Sequence, residues 1–336
     1  MTASLDPARG EDTRAVSTVL DVALCLLLVS AAVGVLGVFL AGEDDPAVDP
    51  ETPDHAVSLL GSTTISVEYD FDSLIEREPD AFDDPAQYPA DERTRITHGP
   101  TAALLADATL SNTTADEGRL THSGGDFETA LEGPLIDELE PIDEQVAITT
   151  HWTPYEGAPL EAQTMVGPTP PPTADVSSVT MTVPSGMTTD PETAHGQAAS
   201  SPTSEAPHTS TATTAASTST PTTYDEVATL VATTIVTTHF EPTETEIALE
   251  RGGLDRDRTL YQYTQFVATV DGIDERDLEE PLAQPTSDAE RANEKLIEAM
   301  ATDLESDLRD AFESPEDAKK ALEMDEVTIT VQVWNR

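Results

Sequence analysis

Residues 15–41 read AVSTVLDVALCLLLVSAAVGVLGVFLA, and how this run is understood decides how the rest of the chain is understood. It is the only stretch of a very acidic chain that water would reject. At ~1.5 Å per residue, a helix over the uncharged part, Val22 to Ala41, would reach ~30 Å, the thickness of a hydrocarbon core. Asp21 alone breaks the apolar character, and it lies near the start. A buried core helix of this length would need a large apolar protein around it, which the composition does not offer. The expectation is a single membrane-crossing helix. Arg9 and Arg14 lie before it, whereas Glu43, Asp44 and Asp45 follow and no base appears until Arg77. Arginine retained on the cytoplasmic side places the N-terminus inside and the body from residue 43 outside, at the cell membrane.

A secretory signal would have a shorter apolar core than this run, and Cys25 lies within the run, where lipoprotein processing would need it at the end. The junction Thr13-Arg14-Ala15-Val16-Ser17-Thr18-Val19 instead resembles the prepilin-type leaders of haloarchaeal pilins and pilin-like proteins. That resemblance implies cleavage between Arg14 and Ala15 on the cytoplasmic side. It covers about 30 residues and departs from the family at Val19, where pilins commonly carry Glu; the acid here is Asp21. The resemblance implies that Asp21 meets the free amino group of a neighbouring subunit, while an interfacial Asp21 turned toward headgroups and Arg14 is the alternative. Gly34 and Gly37, with Ser30, Ala31 and Ala32, would allow close approach of partner helices or simply face lipid.

The chain has 65 acids against 16 bases, a formal charge of -49, with lysine only at 295, 319 and 320. Such self-repulsion opposes compaction in dilute buffer, but at molar salt the screening length is ~3 Å. Few lysines, few aromatics and many Asp, Glu and Thr look haloarchaeal. Nucleic acid is a poor partner for this surface, and cations are suitable ones. Cys25 is the only thiol, so neither a disulfide nor a thiolate metal site is available beyond it.

The expected fold class is an α+β ectodomain on a single N-terminal transmembrane α-helix, with a disordered Ser/Thr/Pro-rich insert. The parts are a leader (1–14), the helix (15–42), a Pro- and acid-rich spacer (43–56), a first part of the ectodomain (57–184), the insert (185–223) and a second part (224–336). Ile65, Val67 and Tyr69 alternate with polar residues as a strand with one wet face. Residues 77–100 read as a long surface connection, residues 101–110 as a helix, Phe127 to Leu139 as another, and Gln145 to Trp152 and Val176 to Val183 as strands. Asn112-Thr113-Thr114 is a glycosylation sequon in a predicted loop. His151, Trp152 and Tyr155 read as an aromatic rim where a strand leaves the core. From Ser200 to Thr223, 15 of 24 residues are Ser or Thr, too few apolar groups to offset the entropy of ordering.

In the second part, Val227, Leu230, Val231 and Ile235 have helical spacing, and Glu246 to Glu250 and Thr259 to Val270 favour strands. Ser287-Asp288-Ala289-Glu290 reads as a capping box before a helix with Leu296, Met300, Leu304 and Leu308 on its core face. Ser314-Pro315 opens a short helix, and Glu326 to Trp334 alternates as a strand. One α+β unit built from both parts is expected, with two small domains as the alternative. No phosphate-cradling loop, nucleophile elbow or metal-spaced histidine pair is present in the sequence, and no cofactor is called for. The functional expectation is a non-enzymatic, pilin-like surface protein of a type IV pilus or related assembly machinery, partnered by lipid and other membrane helices. The alternative is a monomeric anchored envelope or receptor protein with an extracellular binding domain.

Overall fold

The computed structural model describes residues 51–82, 87–115, 118–121, 124–187, 223–284 and 287–335, all within one compact unit spanning Val48–Arg336. In chain order, α1 (Thr52–Ser62) leads into β1 (Thr64–Asp70), α2 (Asp72–Arg77), α3 (Ala90–Arg93), β2 (Thr94–Pro100) and α4 (Thr101–Leu110). The short strands β3 (Thr114–Ala115) and β4 (Gly118–Arg119) precede α5 (Gly125–Glu138), β5 (Gln145–Trp152), β6 (Ala162–Val166) and β7 (Val176–Pro184). The second part contributes α6 (Tyr224–His239), α7 (Pro242–Arg251), α8 (Gly253–Ala268), α9 (Glu275–Glu279), α10 (Ala289–Ala311), α11 (Pro315–Lys320) and β8 (Glu326–Trp334).

The organising layer is a four-stranded antiparallel sheet in the order β6-β5-β8-β7. Its inner strand β8 comes from the end of the chain and is paired on both sides, Val331 facing Ile148 of β5 and Val179 of β7. Period-two alternation explains the choice of face: Val327, Ile329, Val331 and Val333 are all fully buried, whereas Thr328, Thr330 and Gln332 between them are half-buried. Helices α1 and α4 cover this sheet, and α6 lies along α10, whose Leu296, Met300, Leu304 and Leu308 form one buried stripe. Thr223 caps α6 reciprocally with Glu226, and Ser314 caps α11 by accepting from the Asp317 N–H at 3.2 Å.

Several expectations are corrected. Among the described residues no helix is long and apolar enough to cross a membrane, so the fold class they show is α+β, a four-stranded sheet with helices, and not an α+β body on a transmembrane helix. The 23-residue α10 has the length, but ten of its residues are charged. Ala15–Ala41, with Arg14, Ala15, Asp21, Gly34 and Gly37, lies outside the described residues, as do 188–222 of the expected insert. Packed chain continues past the predicted start of that insert: Ser185 Oγ donates to Met324 O at 2.6 Å and Met187 is buried.

Residues 77–100 are not all connection, because β2 pairs with β1 along its whole length. Ile96 is 64% exposed, so β2 carries no inward apolar alternation to read. The strands expected over 246–250 and 259–270 are the helices α7 and α8, separated by Gly252 and Gly253 at φ +73° and +65°. Their β-branched and aromatic residues are packed by tertiary contacts that override local propensity. Finally, α10 is capped one residue later than expected, by Asp288 accepting from Arg291 N–H at 3.0 Å.

Candidate functional site: a charged cavity along α8

Helix α8 has two working faces. Toward its N-terminal end it meets the β1–β2 hairpin, where Phe71 is buried with two guanidinium groups over its ring, Arg95 Cζ at 5.7 Å and Arg258 Cζ at 5.0 Å from the centroid. Arg95 is oriented by Asp255, with Nη2 donating to Oδ1 at 2.5 Å, and Nη1 donates to Glu92 O at 2.7 Å. Tyr88 Oη donates to Asp257 Oδ2 at 2.5 Å. Burial lowers the Arg258 pKa, and the neighbouring Asp255 opposes that shift. The charge of Arg95 also disfavours the Arg258 cation, and Asp255 offsets both, so the cluster acts as a structural clamp holding the hairpin to α8.

The other face carries Arg256, Leu260, Tyr263, Thr264 and Val267, spaced i, i+4, i+7, i+8 and i+11, and it lines a cavity of about 340 Å³. Opposite stand Glu275, Leu278, Glu279, Leu282 and Ala283, again one helical face and its continuation. Tyr263 forms the rigid end of the cavity. Its ring stacks on Phe240 at 4.0 Å between centroids, its Oη donates to Asn293 Oδ1 at 2.6 Å, and Asn293 Nδ2 donates to Phe240 O at 2.7 Å. Burial raises the Tyr263 pKa, so the hydroxyl stays protonated as a donor. Arg256 Nη1 is enclosed and has no hydrogen-bond partner. Neither Glu275 nor Glu279 is in an ion pair among the described residues. Among those residues, too, no group of three or more His, Cys, Asp or Glu is arranged to hold a metal ion.

The sequence-predicted positions are not brought together here. Arg14, Ala15, Asp21, Gly34 and Gly37 fall outside the described residues. Asn112, expected as a glycosylation site in a loop, lies in the turn after α4 at 3% exposure, and its Nδ2 donates to Glu128 Oε2 at 2.7 Å, Ala108 O at 3.2 Å and Thr164 Oγ1 at 3.3 Å. His151 is exposed, while Trp152 and Tyr155 are each 1% exposed and belong to the core. Arg256 went unrecognised because residues 259–270 read as a strand, which hides its alignment with Leu260 and Tyr263. The available signal was the density of bases in 251–258, where Arg251, Arg256 and Arg258 fall within eight residues of a base-poor chain.

Residues 20–334 match a family of unknown function, DUF7284. The chain belongs to that family. No curated protein and no solved structure matches it. The DUF7284 match starts inside the apolar run, five residues beyond Ala15, and ends at Trp334, the last residue of β8. It thus takes in the run from Leu20 onward, both faces of α8 and the four-stranded sheet.

Beside the cavity, His239 closes α6 with its Nε2 enclosed and unpartnered and its ring 6.3 Å from that of Phe266. By area the residue is only partly buried, but the titrating nitrogen is sealed, and burial lowers its pKa to about 4 from the ordinary 6.5. Above pH 6.5 folded and unfolded chains are both neutral at this ring; below it the unfolded chain takes up a proton first. Stability is therefore lost as pH falls from about 6.5 toward 4, by about 2 kcal/mol from this group. His239→Phe removes that component. Urea titrations of both proteins at pH 7 and 4.5 check it, because the carboxylates common to both cancel in the comparison.

Proposed function

We propose that this DUF7284 member is a non-enzymatic cell-surface protein, held at the membrane through its apolar stretch Ala15–Ala41, with its acidic α+β body outside. The observation that carries this reading is the junction Thr13-Arg14-Ala15-Val16-Ser17, where the leader meets that stretch; the junction is similar to haloarchaeal prepilin-type signals. In this reading the protein is pilin-like, associated with a type IV pilus or related assembly machinery. Asp21 meets the amino group of Ala15 in a neighbouring subunit, Gly34 and Gly37 admit partner helices, and cations gather diffusely over the carboxylates. Mass spectrometry of the protein extracted from native membranes tests it: the expected first residue is Ala15. An intact Met1 or Thr2 defeats the pilin-like reading.

A second reading, the anchored envelope or receptor protein with an external binding domain, is favoured by one observation, the cavity along α8 with its unpaired Arg256. The two readings differ in what happens at residue 15 and in whether the body binds a small molecule.

A further inference from the structure

We propose that the cavity between α8 and α9 binds a small zwitterion bearing a carboxylate, an ammonium and an apolar body, the chemistry of a free apolar α-amino acid. The proposal rests on the binding-domain reading and gives that domain a ligand class.

Three features of the cavity converge on it. The first is Arg256. Arg256 is half-buried, and its enclosed Nη1 has no acceptor, a loss that folding normally avoids. Acceptors are not scarce in this chain, since acids outnumber bases 65 to 16, and Arg93, Arg95, Arg291 and Arg309 all find carboxylates. Arg93 Nε and Arg258 Nε are likewise enclosed without a partner, but of these three groups only Arg256 lines the cavity, where a carboxylate supplied from outside could meet it. The second is the pair Glu275 and Glu279, four residues apart and thus on one face of α9, both exposed at the cavity's rim. Like charges at this spacing repel, and a cationic group between them relieves the repulsion. Arg256 does not serve that role, because it stands more than 4.0 Å from either carboxylate, outside every ion pair among the described residues. The third is the apolar part of the lining, formed by Leu260, Val267, Leu278 and Leu282. One cation, two anions and apolar side chains around about 340 Å³ match a small amphipathic zwitterion in size and in the charges it carries. A simple anion would meet the two glutamates, and a simple amine would leave Arg256 unpaired.

Binding of three probes to the full chain in molar salt, followed by isothermal titration calorimetry and thermal shift, tests the proposal. The probes are L-leucine, isoamylamine, which lacks its carboxylate, and 4-methylpentanoate, which lacks its ammonium. Leucine is expected to bind at least about tenfold more tightly than either analogue, since each analogue strands a charge that leucine pairs. Arg256→Gln is expected to weaken leucine binding at least about tenfold while leaving the ligand-free melting temperature nearly unchanged, because it removes a half-buried cation that is in no ion pair among the described residues. Glu275→Gln with Glu279→Gln, on the exposed rim, is expected to weaken leucine but not 4-methylpentanoate, and serves where Arg256→Gln fails to fold. Equal binding of leucine and either analogue overturns the zwitterion and leaves the binding domain standing. Absence of binding by all three overturns both at this cavity.

Discussion

Transferring the protein from 2 M to 0.1 M KCl should lower its thermal midpoint by roughly 10 °C or more, a loss of several kcal/mol for a unit of this size. The expectation follows from how the charges are disposed. Among the described residues five ion pairs form, and in all but Arg95–Asp255 at least one partner's side chain is more than a third exposed, where a pair contributes little. Some other carboxylates accept hydrogen bonds, as Asp257 does from Tyr88 and Glu128 from Asn112, but many are exposed with like charges nearby. On α10, Glu290, Glu294 and Glu298 follow at successive i, i+4 positions, all exposed. Asp303 on the same helix has its pKa raised by burial and by the charge of Asp271, although the Asp271 N–H donating to it at 3.1 Å works the other way. At 0.1 M salt the screening length is ~10 Å, so each carboxylate senses several neighbours; at 1 M it is ~3 Å and senses almost none. Glu294→Lys places a cation between Glu290 and Glu298. It should regain roughly 0.5–1 kcal/mol in 0.1 M KCl and almost nothing in 2 M. A midpoint that moves by only a few degrees between the two salts would show that the acids are spaced too widely to repel.

The parts of the fold legible in the sequence are those whose burial repeats along a single element. β8 alternates Val327, Ile329, Val331 and Val333 against polar residues, and α10 repeats Leu296, Met300, Leu304 and Leu308, so period alone identifies them. What lies beyond period is pairing. Nothing local to Val146-Ala147-Ile148 or to Val331-Gln332-Val333 says that these segments become neighbours, or that β8 enters the sheet between β5 and β7. β2 was hidden for the opposite reason, its Ile96 facing water while β1 supplies the buried Val67. The cavity was hidden because α8 carries burial on two faces, Tyr261 against Phe82 and Tyr263 against Phe240, and a helix apolar on two sides resembles a strand of aromatic and β-branched residues. Asn112 shows the limit of motif reading: Asn-x-Thr describes three residues, and its burial depends on Glu128 and Thr164, 16 and 52 positions away.

Trp152→Ala is expected to cost roughly 4 kcal/mol, enough to threaten folding outright. Trp152 is 1% exposed at the end of β5, and its Nε1–H donates to Met324 O at 3.1 Å, in the segment that leads into β8. The same corner is tied by Glu323 N–H donating to Pro154 O at 2.8 Å and Ser185 N–H donating to Asp325 O at 2.9 Å. Trp152 therefore fills core volume and also fixes where the inner strand begins. The two contributions separate by substitution. Trp152→Phe keeps most of the ring and loses the N–H, but Met324 O still accepts from Ser185 Oγ at 2.6 Å, so the carbonyl is not orphaned and the cost should be only about 1–2 kcal/mol. Ser185→Ala alone should cost about 1–2 kcal/mol, because Met324 O keeps the Trp152 N–H but the Met187 N–H loses Ser185 Oγ, its acceptor at 3.0 Å. Combined, Trp152→Phe and Ser185→Ala leave Met324 O with neither side-chain donor in a buried site, and the double variant should lose about 1 kcal/mol more than the sum of the singles. Urea denaturation of the four proteins in 2 M KCl measures this cycle. Strict additivity would mean that the carbonyl finds another partner and that Trp152 acts through its volume alone.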